Sequence, residues 1–401
     1  MTANSCIQMG CLLSLFRVCL TNSQRALEET PKPTCTKCKF LSSMKISNHT
    51  ITLAIASILL LTSSQAHEYE FARPDSHAPI MVMADHTHES GEWMLSFRQM
   101  RMKMEGMRSS ETSRASQDVF NANYNVTPTR MTMEMTMLGV MYAPSDKMTL
   151  FAMLPYLDYS MDHEIFGMAA PLISLNDGSS TFTTESSGWG DLKLGTLLPF
   201  YKSAGDKAHF GLSFSLPSGS IAETDLVPGP GGRVQRQLPA PMQMGSGSME
   251  FNPSITYISQ KESWSYGAQA KADIRLNTNH HDFRLGNSLE ASGWIASKLM
   301  DQLSISGRIA YKYSKKMSGI QSDLSFNPPF APSRRTVTAA FSENYGGQRV
   351  DAAIGLNYFI NKGSASGNRI ALEVVSPIFQ DLNGLQLETK LTTILGWQYS
   401  W

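Results

Sequence analysis

The chain has 401 residues, 34 basic and 34 acidic side chains, and a mean hydropathy of −0.20. No apolar run reaches the roughly 18 residues that a membrane-spanning helix needs, which excludes a helical membrane protein. All five cysteines precede residue 40, so the body of the chain has no thiol for disulfides, cysteine metal centres or cysteine nucleophiles.

Residues 1–43 hold Cys6, Cys11, Cys19, Cys35 and Cys38. Cys35-x-x-Cys38 is half a metal motif and lacks a second pair. Met44-Lys45 opens a short basic segment, Ile51 to Leu61 is almost wholly apolar, and Ser64-Gln65-Ala66 is a small-residue cleavage site. This pattern is that of a signal peptide over 44–66, read by the general secretion pathway. Met44 is then the expected start, and 1–43 an upstream extension from a misplaced one. Removing 1–66 leaves 28 basic and 32 acidic residues, a net charge of −4. A chain with that balance has no basic footprint for nucleic acid.

Residues 67–90 are expected as a periplasmic segment rich in histidine and methionine. It contains His67, His77, His86 and His88, within HAPIMVMADHTH from His77 to His88. In an extended chain His86 and His88 point the same way, and neutral imidazoles at that spacing can share a divalent ion. His77, Asp85, His86 and His88 are the candidate metal ligands, with Met81 and Met83 nearby and copper the ion considered. The plainer readings are a solvated lead-in, or a short plug whose histidines only hydrogen-bond. The body has no C-x-x-C or H-E-x-x-H motif for a structural or catalytic zinc site.

Twelve segments then read as strands: 91–105, 130–143, 148–158, 189–201, 207–217, 250–259, 263–277, 282–297, 301–315, 348–360, 369–378 and 384–401. Four connections on one side, 106–129, 159–188, 218–249 and 316–347, exceed twenty residues. Every connection on the other side is short. Long loops outside and short turns inside describe a transmembrane antiparallel up-and-down β-barrel that spans residues 91–401. About 12 strands are expected, with 10–14 allowed because 159–188 and 316–347 can each hold a hairpin. Trp93, Trp264, Trp294, Trp397 and Trp401, with Tyr142, Tyr201, Tyr257 and Tyr358, fall at the short-turn ends, as an interfacial aromatic girdle requires. The Pro/Gly-rich loop 218–249 is long enough to fold inward and constrict the lumen.

Sixteen of the 24 methionines lie between Met81 and Met168. Met94, Met100, Met102 and Met104 alternate in the first strand, and Met131, Met133, Met135, Met137 and Met141 in the second. Their opposite faces carry Trp93, Leu95 and Phe97, and Leu138, Val140 and Tyr142, which form a lipid-facing patch. Parity therefore points the methionines into the lumen beside Arg98. Methionine can act there as plain apolar filler, as a flexible wall for apolar ligands, or as a thioether surface suited to Cu(I).

No G-x-S-x-G, Walker or dinucleotide motif appears, and no enzyme is expected. His209 and Ser213, four apart on one strand, stand roughly 13 Å apart and cannot form a catalytic pair directly. Leu385, Leu387, Thr389, Leu391, Thr393, Leu395, Trp397, Tyr399 and Trp401 occupy every second position of the last strand. A long amphipathic strand ending on an aromatic resembles the closing strand of an outer-membrane barrel, whose final aromatic is part of the signal read by the barrel assembly machinery.

The segments HAPIMVMADHTHESGEWMLSFRQMRMKMEGM (77–107) and MTLFAMLPYLDYSMDH (148–163) resemble a group of outer-membrane barrels similar to the family named for a "MetA pathway of phenol degradation". The resemblance spans most of the mature chain. It implies passage of small, often apolar or aromatic compounds, and it supplies no ligand residues. The expectation is thus an outer-membrane barrel of a Gram-negative bacterium. It is surrounded by membrane lipid and lipopolysaccharide, and passes or binds a small-molecule solute by passive diffusion. The alternative is a copper-handling or scaffold barrel that displays its His/Met-rich segment.

Overall fold

A computed structural model describes residues 71–229, 231–328 and 333–401, which fall within one compact unit. The expected leader 44–66, His67 and Cys35-x-x-Cys38 lie outside the described residues.

The wall consists of β1 (Trp93–Ser110), β2 (Tyr124–Ser145), β3 (Met148–Ile165), β4 (Leu192–Ser203), β5 (Asp206–Leu216), β6 (Glu250–Gln260), β7 (Trp264–Arg275), β8 (Ser288–Met300), β9 (Leu303–Ser314), β10 (Gly347–Ile360) and the long segment Asn368–Ser400. That last segment is a hairpin. Residues 368–382 (β11) pair with β10, while 382–400 (β12) pair with β1. The two arms also bind each other: Ser400 N donates to Gly367 O at 3.1 Å, and Arg369 Nη1 to Gln398 Oε1 at 2.6 Å. Gly384 at the turn has φ +60°, and a Cβ there would sit 2.2 Å from Asn344 Oδ1, so the tight reversal needs glycine. Eleven continuous segments, one of them doubled, thus make a closed antiparallel barrel of twelve staves, each paired with its neighbours in sequence.

Closure is by β1 and β12, in register from Met94↔Ser400 upward. Trp93 N donates to Trp401 O at 2.9 Å and Trp401 N to Trp93 O at 3.0 Å. No backbone edge is left at the seam, as hydrocarbon demands. Outside, Leu95, Phe97, Leu138, Phe210, Leu212, Phe214, Ile295, Ile305, Ile309, Ile354, Leu356 and Leu395 are exposed, each on the outward parity of its strand. An apolar band on this scale fits lipid and not water. Trp93, Trp264, Trp397 and Trp401 are exposed at the short-turn rim, and Trp93 stacks on Tyr142 with centroids 4.4 Å apart.

Two sequence expectations change, those for Trp294 and for residues 71–90, while the expected count of about 12 strands stands. Trp294 is 5% exposed and faces inward, against Ala78, Val82 and Ile258; its neighbour Ile295 takes the lipid side. The hairpins in the long loops add no stave. Thr181–Trp189 pairs with the upper part of β3 in line with β4, and Thr224–Gly229 pairs with Gly232–Gln237 in a separate sheet. Residues 71–90 are not a lead-in outside the barrel. They are held within the wall at the short-turn end by Ser304 Oγ on Pro74 O (2.8 Å), Gln269 Nε2 on Met83 O (3.0 Å), Arg369 Nη2 on Ala78 O (2.5 Å) and Glu373 Oε2 on Met81 N (2.8 Å).

Glu373 also pairs with Arg308 at 2.7 Å, and both side chains are buried. Removing one partner of such a pair strands a buried charge. Glu373→Ala is expected to cost about 3–5 kcal/mol in denaturant unfolding followed by circular dichroism. Arg101→Ala, which breaks an outer pair with Glu134 whose side chains are about half exposed, should cost under about 1 kcal/mol. Equal small losses would show that the buried pair does not hold the interior together.

Candidate functional site

The interior is built from the inward parity of the wall and from two inserts. At the short-turn end lies 71–90. From the long-loop end, residues 238–248 turn inward: Leu238, Met242, Met244 and Ser248 are buried, and Ser186 Oγ donates to Met242 O at 2.7 Å. Of the loop 218–249, it is residues 238–248 that pack against the inward face of the wall. Gly190 makes room for them, since a Cβ there would lie 2.9 Å from Pro155 Cγ and 3.2 Å from Met244 O.

The methionines fill the space between the inserts. Across β1 and β2 the register pairs Met94↔Met141, Arg98↔Met137, Met100↔Met135, Met102↔Met133 and Met104↔Met131. Met94, Met131 and Met137 are buried, and Met100, Met102, Met104, Met133 and Met135 are half-buried. Two clusters result. Met131, Leu157, Tyr159 and Met161 pack on Leu238, Met242 and Met244, with Met104, Met133 and Met135 against them. Lower down, Met94, Met137, Met141, Phe151, Met153 and Leu197 pack together, with Met83 of the insert. Arg98 is buried beside Ile80 and Gly396, and its Nε and Nη1 have no protein partner.

Above the upper methionine cluster is a cavity that sequence reasoning missed, because its walls come from four long loops. It has about 140 Å³ of free space, and Val126, Leu172, Phe182, Val227, Leu238, Leu324, Phe326 and Val337 give it an apolar lining. A cavity of about 150 Å³ holds a benzene ring. Asn125, His163 and Thr184 also line it. Each has a buried side-chain atom without a partner: Asn125 Nδ2, His163 Nδ1 and Thr184 Oγ1. Leaving such an atom unbonded costs roughly 1–3 kcal/mol. His163 is held in place by stacking on Phe182, with centroids 4.6 Å apart and planes at 7°.

The histidines of the lower insert come together. His86 lies 4.9 Å, centroid to centroid, from both His77 and His88, and Phe71 touches all three rings. His86 Nδ1 is 2.9 Å from Asp85 Oδ1, and His88 Nδ1 is 3.3 Å from Glu92 Oε2. Burial first, then the charge of Arg369, hold the His77 ring well below the ordinary histidine value; burial lowers His88 also. Burial pushes the Asp85 carboxyl up, but the neighbouring His86 ring, which hydrogen-bonds to it, outweighs burial and holds the carboxyl below its ordinary value. Buried in this way, the segment is not displayed to partners, which removes the scaffold form of the alternative reading. His209 and Ser213 make no pair: His209 Nε2 lies 2.9 Å from Ala84 O, and Ser213 Oγ donates to Asn252 O at 3.2 Å.

Neighbouring positions on β2 allow the two faces to be told apart. The body of the chain has no cysteine, so Leu138→Cys and Met137→Cys are clean reporters. A maleimide dissolved in the lipid should label Leu138→Cys in native membranes and spare Met137→Cys. The reverse pattern would put the methionines on the lipid side.

Residues 116–387 match the family model described as "Putative MetA-pathway of phenol degradation". The COG4313 outer membrane channel from Pseudomonas putida F1 has a similar structure, with TM-score 0.53 and 11% identity, covering 80% of this chain and 99% of that one. The P. putida toluene transporter TodX is also similar, with TM-score 0.39 and 12% identity over 78% of this chain and 91% of that one. A Pseudomonas aeruginosa FadL homologue has TM-score 0.36 and 10% identity over 77% of this chain and 89% of that one. No curated protein matches the sequence.

Proposed function

The chain belongs to the family of the MetA pathway of phenol degradation, which its sequence matches over residues 116–387, and from that premise we propose that it passes a small aromatic solute with one polar substituent across the outer membrane. The observation that carries this reading is the outer cavity. Its volume suits a single ring, its walls are apolar, and three polar atoms without partners line it. Apolar walls with a few polar groups are how proteins recognise such ligands. Below it, the half-buried methionines offer a soft route inward: thioethers change rotamer readily and adapt to varied apolar surfaces. Passage is passive diffusion, with no bond made or broken. Lipopolysaccharide surrounds the outer loops, and the barrel assembly machinery recognises the strand that ends at Trp401.

Uptake of a radiolabelled phenol by cells carrying the protein in the outer membrane tests this, with a disaccharide as control. The wild type should speed entry of the phenol and not of the disaccharide. Thr184→Val removes a hydroxyl that has no partner in the protein. It should leave stability unchanged or raise it by about 1 kcal/mol, and it should slow phenol entry several-fold while sparing toluene. Equal entry of phenol and disaccharide would make the barrel a general pore. No effect of the protein on phenol entry would end the proposal.

A further inference from the structure

The lower insert holds a cluster that solute passage does not use. One donor atom from each of His77, Asp85 and His86 lies within 4.8 Å of the other two, and all three residues are buried. Both ring nitrogens of His77, and Nε2 of His86 and His88, have no hydrogen-bond partner in the protein. Ring nitrogens without partners and a carboxylate, gathered within 4.8 Å of one another, are the donor set of a metal site.

We propose that His77, Asp85 and His86 bind one divalent transition ion, Zn²⁺ or Cu²⁺, which clamps the 71–90 insert inside the barrel. Bonds to nitrogen and oxygen near 2.0–2.2 Å require donors somewhat closer than 4.8 Å, so the site closes by a small contraction. His88 is the fourth ligand within reach, its ring 4.9 Å from His86 and its Nδ1 turned to Glu92 by the carboxylate–imidazole contact that orients metal-bound histidines. Nitrogen and oxygen donors select a borderline divalent ion. The nearby thioethers do not change this: Met81 and Met83 pack into two separate apolar clusters, so the Cu(I) form of the sequence reading has no support. Arg369 adds positive charge close by, which Asp85 and Glu92 offset. The ion would join residue 77 to residues 85 and 86, and so fasten the turn that carries Ile80 and Met81 against the wall.

Calorimetric titration of the chelator-stripped protein in detergent with zinc sulfate, and separately with copper sulfate, tests this. One equivalent of at least one ion should bind, with a dissociation constant in the micromolar range or tighter. His77→Ala/His86→Ala should abolish the binding, and Asp85→Asn should weaken it roughly 10–100-fold. His280→Ala/His281→Ala, on an outer loop, should leave it unchanged. His77→Phe keeps an aromatic ring against Phe71 and Phe359 and should still lose affinity, which separates ligation from packing should the double variant misfold. Hydrogen exchange of the 77–88 peptide should slow with the ion in the wild type only. Absence of binding to the wild type, or equal binding to His77→Phe and wild type, would show the cluster to be aromatic packing alone. Phenol entry is measured independently, so either proposal can fail without the other.

Discussion

The backbone hydrogen bonds that join Trp93 to Trp401 close the wall, and the rest of the molecule follows from that closure. In hydrocarbon a strand edge without a partner exposes a row of polar groups, each costing several kcal/mol. A cylinder removes every edge, and it also fixes the direction of every side chain. Once β12 lies beside β1 in the observed register, Leu95 and Phe97 must face lipid, and Met94, Arg98 and Met100 must face inward.

A twelve-stave cylinder is wider than one of eight, whose own side chains nearly fill it. Here the extra volume is taken by 71–90 and 238–248. The wall has already used its backbone groups on its neighbours, so the lower insert is held by wall side chains: Arg369, Gln269 and Ser304 donate to its carbonyls, and Glu373 accepts from Met81 N. The two neutral bonds contribute about 1 kcal/mol each on balance, and the two that involve Arg369 and Glu373 about 1.5–3 kcal/mol.

Period-two alternation made all twelve staves legible in the sequence, because lipid on one side and packed interior on the other impose opposite chemistries on successive residues. It failed where that contrast is weak. Gly293-Trp294-Ile295-Ala296 has two large apolar residues side by side, and only the Ala78 and Val82 surface of the insert decides that Trp294 turns inward. Docking of 71–90 rests on contacts such as Met81 to Glu373, 292 residues apart in the chain, and no local pattern records those. The proximity of His77 to His86 was legible as composition only; the turn through Pro79 and Ile80 that folds one onto the other was not. The outer cavity left no trace in the sequence, since Val126, Phe182, Leu238 and Val337 come from separate loops.

Under the proposed function, the methionine wall is best understood from what a passing ring would require. It must cross a level where Met131, Met161, Met242 and Met244 are almost wholly buried against one another. Leucine or isoleucine would pack that level equally well, but branching limits the rotamers through which they could yield. An unbranched thioether can move aside by torsion alone and then return. Under the proposed function, a lumen packed with methionine would exclude water at rest and still admit an apolar body of single-ring size. A polar solute would meet the same level without partners for its hydrogen bonds, and that desolvation cost would supply the proposed selectivity. On that proposal, the alternation that sends nine methionines inward along β1 and β2 would set a barrier that yields according to chemistry, in front of a wall closed by its backbone bonds.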